Sequence, residues 1–537
     1  MLLLSSAIAT VLSIQHVKSN IATLGSVDSW PMFRGGLSHT GYSQSTAPND
    51  NTTSWKYQTG YWISSSAAVV GGKVYVGSYD GNVYSFDVLT GGLFWRFKTG
   101  AGVTPSPSIF GNNLYIGSSD GFVYSLNAST GGLIWKYKTG DRVDSSPAVA
   151  YGNVYIGSAD GYLYSLNAST GALVWKYPTG AGIDSSPAIA DGKVYVGSYS
   201  GFVYCLDALT GAFVWAFQTG ASIVVSSPAV ANGSVYIGSE DRYVYSLNAS
   251  TGGMNWRFQT GDMVMSSPAI ASNRIYVGSS DHNVYSLNAS SGALIWSFQT
   301  ADMVLESSPA IADDKVYIGS WDSYVYCLNA TSGGLVWRFK TGANVVASPS
   351  VASGKVFIGS YDHYLYSFGL ATPFHDISII SVKPTKTAVG QNYSLAVNVT
   401  IENRGSFRES FNVTAYANAT SLQTKNVTLE SGDQTTISLA WNTTGFSKVN
   451  YFIRANATRV SGETFTVDNT LQNGVVEITI PGDVNGDLVV DIADASLIGV
   501  NWQRTVPPAP SNADINGDGI IDVSDAAIIG INWQKQV

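Results

Sequence analysis

Residues Ser145 to Gly180 read SSPAVAYGNVYIGSADGYLYSLNASTGALVWKYPTG, and the chain repeats this stretch over most of its length. Its tryptophan recurs at Trp55, Trp95, Trp135, Trp175, Trp215, Trp256, Trp296 and Trp337, at spacings of 40, 40, 40, 40, 41, 40 and 41 residues. A fixed period of that size marks a repeat architecture. Each unit holds four short alternating runs rich in β-branched and aromatic residues, here SSPAVA, NVYIGS, YLYSLNA and LVWKYPTG. Four strands per unit make one blade of a β-propeller. Asp160-Gly161, like Asp80-Gly81 and Asp120-Gly121, predicts a two-residue hairpin with φ > 0 between the second and third strands. The segment from Asn167 to Gly171 predicts the next turn, through short polar side chains that bond to nearby backbone. The tryptophan is placed on the outer strand, where it seals one blade against the next.

Counting each run gives the size of the ring. The YIGS-type strand begins at Val74, Leu114, Val154, Val194, Val235, Ile275, Val316 and Val356, which makes eight units. No tryptophan strand follows the last of them. The unmatched copy is SWKYQTG, Ser54 to Gly60, ahead of the first complete unit. This predicts that the N-terminal strand closes the eighth blade and leaves no open ring edge.

The pattern GSxDGxxYxLxAxTGxxxWxxxTG resembles the repeat of eight-bladed quinoprotein-type propellers. That is the fold of pyrroloquinoline quinone dehydrogenases and of the outer-membrane assembly lipoprotein. Upstream, WPMFRGGLSHTG, Trp30 to Gly41, is similar to the lead-in found before such rings. The resemblance covers roughly residues 30 to 370 and speaks to fold, not function. Quinoprotein dehydrogenases resemble one another in an adjacent Cys-Cys pair over the quinone. This chain has no such pair, so no PQQ is expected. Its two cysteines, Cys205 and Cys327, stand three blades apart and are expected as buried small residues without a bridge.

Because the blades are copies, a ligand site is sought where they differ. The residue before the inner SSP strand runs Ser64, Thr104, Asp144, Asp184, Val225, Met265, Glu306 and Val346. Inner strands face the central channel, so Asp144, Asp184 and Glu306 are candidates for its mouth, against the plainer reading of a solvated rim. The turn after GS carries Tyr79, Tyr199, Trp321 and Tyr361, rings that would stack on a sugar or a protein partner, or pack blade on blade. His282 and His363 follow the Asp of that turn with no ligand partner at metal spacing.

The whole chain has 537 residues, which predicts two to four domains. Only 12% of residues are charged and the net charge is -9, which gives no basic face for nucleic acid. Residues 2 to 14, LLLSSAIATVLSI, have the length of a signal-peptide core and are too short to span a bilayer. Fourteen Asn-x-Ser/Thr acceptors, seven of them from Asn392 onward and outside the repeat, agree with a secreted or cell-surface glycoprotein.

After Phe368 the period stops. Runs such as YSLAVNVTIEN, TTISLAWN and GVVEITI between Asp376 and Ile480 predict about seven strands in an immunoglobulin-like sandwich. Its pattern resembles the adhesion-type CARDB modules of cell-surface proteins.

The sharpest chemical signal is C-terminal. DVNGDLVVDIAD, Asp483 to Asp494, returns 31 residues later as DINGDGIIDVSD, Asp514 to Asp525. Oxygen side chains at loop positions 1, 3, 5, 9 and 12 suit Ca²⁺. The candidate ligands are Asp483, Asn485, Asp487, Asp491 and Asp494, then Asp514, Asn516, Asp518, Asp522 and Asp525, with the Val489 and Ile520 carbonyls at position 7. Leu488 replaces the usual position-6 Gly of the first loop, which predicts a weaker first site. Each loop leads into an apolar helix, and the duplication predicts a two-fold helix pair.

This C-terminal pattern resembles a type I dockerin, the module that attaches polysaccharide-degrading proteins to cohesin-bearing scaffolds. The partner-contacting positions of that family correspond to Ile492-Ala493 and Val523-Ser524, which lack the Ser-Thr pair of many dockerins. Alternatively, the helices dock on the sandwich as a calcium-stapled cap.

The fold class expected is mainly β: an eight-bladed propeller closed by an N-terminal strand, an Ig-like sandwich, and a small α-helical domain of duplicated calcium loops. The expected segments are 1–25 signal peptide, 26–370 propeller, 374–480 sandwich and 481–537 dockerin-like module. The function expected is a secreted or surface-attached monomer that is non-catalytic. Its ring would bind a carbohydrate or protein, and its tail a cohesin-like scaffold protein. An enzyme, quinone-dependent or carbohydrate-active, and a purely structural envelope protein are the competing readings.

Overall fold

The computed structural model describes residues 29–369, 373–485, 489–504, 512–515 and 520–535. The expected signal peptide lies outside them, as do Asp487, Leu488, Asn516 and Asp518. The chain divides at residues 371/372 into two compact units.

The first unit is eight four-stranded antiparallel sheets. In the third blade the strands are Ala148–Ala150, Asn153–Gly157, Tyr162–Asn167 and Leu173–Pro178. Val154, Tyr155 and Ile156 pair with Leu166, Ser165 and Tyr164. All of these strand residues are buried except Tyr162, Asn167 and the outer strand, because the middle strands carry a neighbouring blade on each face. The eighth blade closes as the count requires: Thr53–Gln58 pairs with Tyr364–Phe368, placing Trp55 opposite Ser367.

One chain of contacts locks each blade to the next. The Ala168 carbonyl accepts from Tyr115 OH at 3.1 Å and from Trp135 Nε1 at 2.9 Å, both on the preceding blade. Gly171 lies beneath that indole with φ +72°, and a Cβ there would stand 2.7 Å from Trp135. At the closure the NAST turn is missing, and the Pro48 carbonyl takes its place, accepting from Tyr317 OH and Trp337 Nε1. The Asn167 carboxamide holds its turn as expected, accepting from Ser169 N and Thr170 N.

The Asp-Gly hairpin differs from the expectation. Residues 158–161 form a four-residue connection, closed by Ser158 N to Tyr162 O and by Gly161 N to Ser158 O. Only Gly161 has positive φ, at +85°. Asp160 instead spends its carboxylate on backbone and ring, accepting from Tyr162 N, Tyr164 OH and Gly140 N of the preceding blade. In blades five to eight the glycine position is Arg242, His282, Ser323 and His363, each held at φ 71–75°.

The lead-in has a role the sequence did not disclose. Residues 30–45 run round the inner strands, one blade after another. Trp30 bridges Val69, Pro31 O accepts from Ile109 N, and Leu37 O, Ser38 O, Thr40 O and Gly41 O accept from Ile189, Val230, Ile270 and Ile311. The Ser45 hydroxyl then accepts from Gly354 N. These bonds occupy the free edge of the inner strands, which otherwise leaves orphan backbone groups. Between Pro31 and Leu37 the segment crosses the end of the channel, and buried Arg34 donates to the Pro309 and Pro268 carbonyls on the far side.

The second unit begins with a sandwich of two sheets. One holds Ile377–Pro384, Ser394–Asn403 and Gln434–Asn442. The other holds Ala388–Gly390, Thr470–Thr479, Asn450–Ala457, Glu409–Ala417 and Thr420–Leu429. Eight strands therefore stand where about seven were expected. The extra one, Ala388–Gly390, is three residues long and too short to show alternation; it pairs parallel to Thr470–Thr479. Trp441, Leu439, Ile401 and Val397 fill the core.

Two helices follow, Ile492–Val500 and Val523–Asn532. Ile498 and Ile529 pack with Val484, Val490, Ile515 and Ile521 in one cluster, with Ile480 and Tyr393 of the sandwich against it. Lys386 Nζ bonds the Asp514 carbonyl, and Asn512 bonds Thr387 and Ala388. The tail is thus docked on the sandwich.

Candidate functional site

The inner strands build the channel from repeated serines. The backbone N–H of Ser66 donates to Ser106 Oγ, and the pattern continues through Ser146, Ser186, Ser227, Ser267, Ser308 and Ser348 back to Ser66. The eight bonds measure 2.8–3.1 Å and form a closed circle. Each serine is 1–5% exposed, and all eight line one cavity of about 220 Å³ on the ring axis. Proline follows seven of the eight serines, Ala67 standing after Ser66, and holds them extended, which aims the N–H sideways at the next blade.

Above this collar, seven of the eight variable residues before the inner strand line the same cavity, Asp144, Asp184 and Glu306 among them; Met265 does not. Asp144 accepts from Thr104 Oγ1 and Ser119 Oγ at 2.8 Å and pairs with Arg142 Nε at 2.7 Å. Asp184 pairs with Arg142 at 3.5 Å and accepts from Tyr199 OH at 2.5 Å, while its Oδ1 is buried with no partner among the described residues. Burial raises the Asp184 carboxyl above its usual range. Glu306 is raised too, first by burial and then by the Asp184 charge, and among the described residues its carboxylate has no hydrogen-bond donor.

The four variable rings do not act alike. Tyr79 and Tyr361 line the cavity, and Tyr79 is 44% exposed. Tyr361 stacks on Trp62 with centroids 4.7 Å apart and planes at 12°, and Trp62 stacks in turn on Tyr61. Tyr199 is half-buried with its hydroxyl committed to Asp184, and Trp321 is half-buried with Nε1 enclosed. Of the two expectations for these rings, stacking on a ligand or packing within the ring, the enclosure of Tyr199 and Trp321 favours packing.

Sequence reasoning missed Arg142, Trp62 and the serine collar. A signal existed for the first two: both stand two residues after the Thr-Gly turn, where the other blades carry Gly, Ser, Met or Asn and no aromatic or charged side chain. Opposite the mouth, Phe33 of the lead-in lines the cavity as its floor. Cys205 and Cys327 are free and buried, their thiols pushed up to about 12 by burial.

In the tail, both duplicated loops are built alike. Asp494 is fully buried; its Oδ1 accepts from Val484 N at 2.6 Å and Asn485 N at 3.0 Å, and its Oδ2 from Asp491 N at 2.9 Å. Asp525 repeats this, with Ile515 N at 2.6 Å and Asp522 N at 2.9 Å. Asp491 and Asp522 cap the two helices through Ala493 N and Ser524 N. Asp483 and Asp514 are 5% exposed, so each loop gathers two buried carboxylates. That oxygen-only donor set fits a hard divalent cation. Near position 10 the large apolar residues face outward: Ile492 is 69% and Val523 68% exposed.

The family model described as "Outer membrane protein assembly factor BamB" matches residues 37–139, 79–182, 162–303 and 281–372. CARDB matches 374–473, and the dockerin type I domain, a calcium-binding module in general, matches 481–530. No curated protein matches the chain. Among solved structures it is similar to BamB from Moraxella catarrhalis, at 21% identity and TM-score 0.52, covering 60% of this chain and 99% of that one. A europium-containing methanol dehydrogenase gives 13% identity and TM-score 0.56, with 64% and 98% covered. The quinohemoprotein alcohol dehydrogenase from Comamonas testosteroni gives 15% and 0.57, with 67% and 84% covered. At these identities the shared property is the propeller fold. With repeat matches from residue 37 to residue 372, the chain belongs to the PQQ-type repeat propellers, and carries CARDB and type I dockerin modules behind its ring.

Proposed function

We propose that this is an extracellular or surface-attached, non-catalytic recognition protein. The channel mouth of the ring takes the ligand, and the tail attaches the chain to a cohesin-type partner in a calcium-dependent way. CARDB and dockerin modules are typical of extracellular and cell-surface proteins, which supports the setting.

The observation that carries the reading is the duplication in the tail. Two loops present the same buried position-12 carboxylate, and each carries, two residues before it, an outward-facing apolar residue at the family's partner-contacting place. Asp483, Asn485, Asp487, Asp491, Asp494 and the Val489 carbonyl would hold the first Ca²⁺. Asp514, Asn516, Asp518, Asp522, Asp525 and the Ile520 carbonyl would hold the second. Bound Ca²⁺ supplies positive charge to carboxylates that burial otherwise penalises. The protein's own part is done by Asp494 and Asp525, which tie the loop entrance to the helix start. Docking on the sandwich leaves Ile492, Val500, Val523 and Ile531 37% or more exposed, so the cap does not consume the attachment surface.

Binding of the full chain to a type I cohesin module, measured with calcium and with a chelator, tests the proposal. Capture only in calcium, weakened by Ile492→Asp together with Val523→Asp, is expected. Capture that ignores the chelator, or no capture in calcium, contradicts it.

A further inference from the structure

We infer that the channel cavity takes a single neutral sugar ring, entering end-on as the terminus of a longer chain. The inference rests on the reading of the mouth as the recognition face and names its ligand class.

Three unused chemistries meet in this cavity. Six of the eight collar serines accept a backbone N–H yet have no acceptor for their own hydroxyl proton among the described residues; Ser227 and Ser308 reach a carbonyl only at 3.4 Å. These are donors, 95% or more buried, aimed at the axis. Above them, Glu306 and Asp184 Oδ1 are acceptors without a donor among the described residues. Beside them, the Trp62–Tyr361 stack and the exposed Tyr79 offer flat apolar faces.

A buried polar group left unmatched is costly, so the preferred ligand fills both kinds. An anion satisfies the serines and meets the carboxylates with like charge. An ammonium ion satisfies the carboxylates and leaves the serine protons idle. An apolar ligand matches neither. A pyranose carries donors and acceptors around its rim and an apolar face that packs on aromatic rings.

Size and closure give the end-on geometry. The cavity of about 220 Å³ sits below the usual range for whole drug-sized ligands. Phe33 forms its floor, and the lead-in crosses that end of the channel with Arg34 bonded to the opposite blades. A polymer therefore cannot thread the ring.

Saturation-transfer NMR and calorimetry on the full chain test this. The probes are the methyl glycosides of glucose, galactose and mannose, with n-butylammonium and inorganic phosphate as charged alternatives. The variants are Glu306→Val and Asp184→Ser, side chains that other blades already carry at this position, so the fold tolerates them. The expected result is one-to-one binding of at least one glycoside, weakened about tenfold or more by either variant, as loss of a hydrogen bond to a charged group implies. If no glycoside binds, or only a charged probe does, the sugar assignment is overturned and the recognition reading is not. If a glycoside binds equally well to both variants, the mouth is not the site, and the reading beneath the inference falls with it.

Discussion

The ring and the tail both bury polar groups, and they neutralise them in opposite ways. In the ring the devices that join one blade to another are answered by protein: the Ser186 hydroxyl accepts from a backbone N–H of the preceding blade, Asp160 accepts from a phenol and two amides, and the Trp135 indole donates to a carbonyl of the next blade. In the tail the buried carboxylates converge on loops whose donors are oxygens, a set that suits a cation from solution. A closed array of copies carries its own partners, whereas a tail of about fifty residues with a small core is, in the function proposed above, completed by an ion.

The sharpest break in that comparison is Asp494→Ala with Asp525→Ala, or chelation. The tail should lose its helical circular dichroism and its own melting step, a loss of about 4 kcal/mol at calcium a thousandfold above Kd. The ring's melting step should stay in place. Next in size is Trp135→Ala, which removes a buried indole and its bond to Ala168. It should cost the ring about 3 kcal/mol or more by denaturant unfolding and leave calcium affinity unchanged.

At the mouth carboxylates stay unanswered among the described residues, Asp184 Oδ1 being one. The raised Glu306 carboxyl binds its proton more tightly folded than unfolded. Stability is therefore fullest below the ordinary glutamate range and falls as pH rises through the raised native value. Asp184 shares that direction, and Tyr79 and Tyr361 face the same group. Glu306→Gln should flatten this slope and add about 1 kcal/mol near neutral pH, measured by denaturant titration at several pH values. Smallest is His282→Gly, which relieves a side chain at φ 71° and should stabilise the ring by about 0.5 kcal/mol.

How much of this could be read beforehand follows from the physics of copying. Period, blade number and closure were legible because each blade repeats its tryptophan and only one copy, SWKYQTG, lacks a partner unit; Trp55 opposite Ser367 is that count made geometric. The carboxylates at Asp144, Asp184 and Glu306 stood out as departures from the repeat. The same rule hid the serine collar, since a residue present in all eight blades reads as scaffold even when its hydroxyl faces the axis. Arg142 and Trp62 escaped because their role depends on side chains one blade or one closure away. The lead-in was recognised by resemblance, yet its path past seven blades rests on backbone carbonyls, which leave no mark on side-chain patterning. Asp160 was misplaced at φ > 0 because the dipeptide rule takes no account of a carboxylate with three donors to serve.

Amide hydrogen exchange on the intact chain, with calcium and after chelation, tests the contrast most directly. Protection in residues 484–535 should collapse on chelation while the strands between residues 53 and 368 exchange as before. Unchanged protection in the tail, or loss of protection in the ring, would contradict the account.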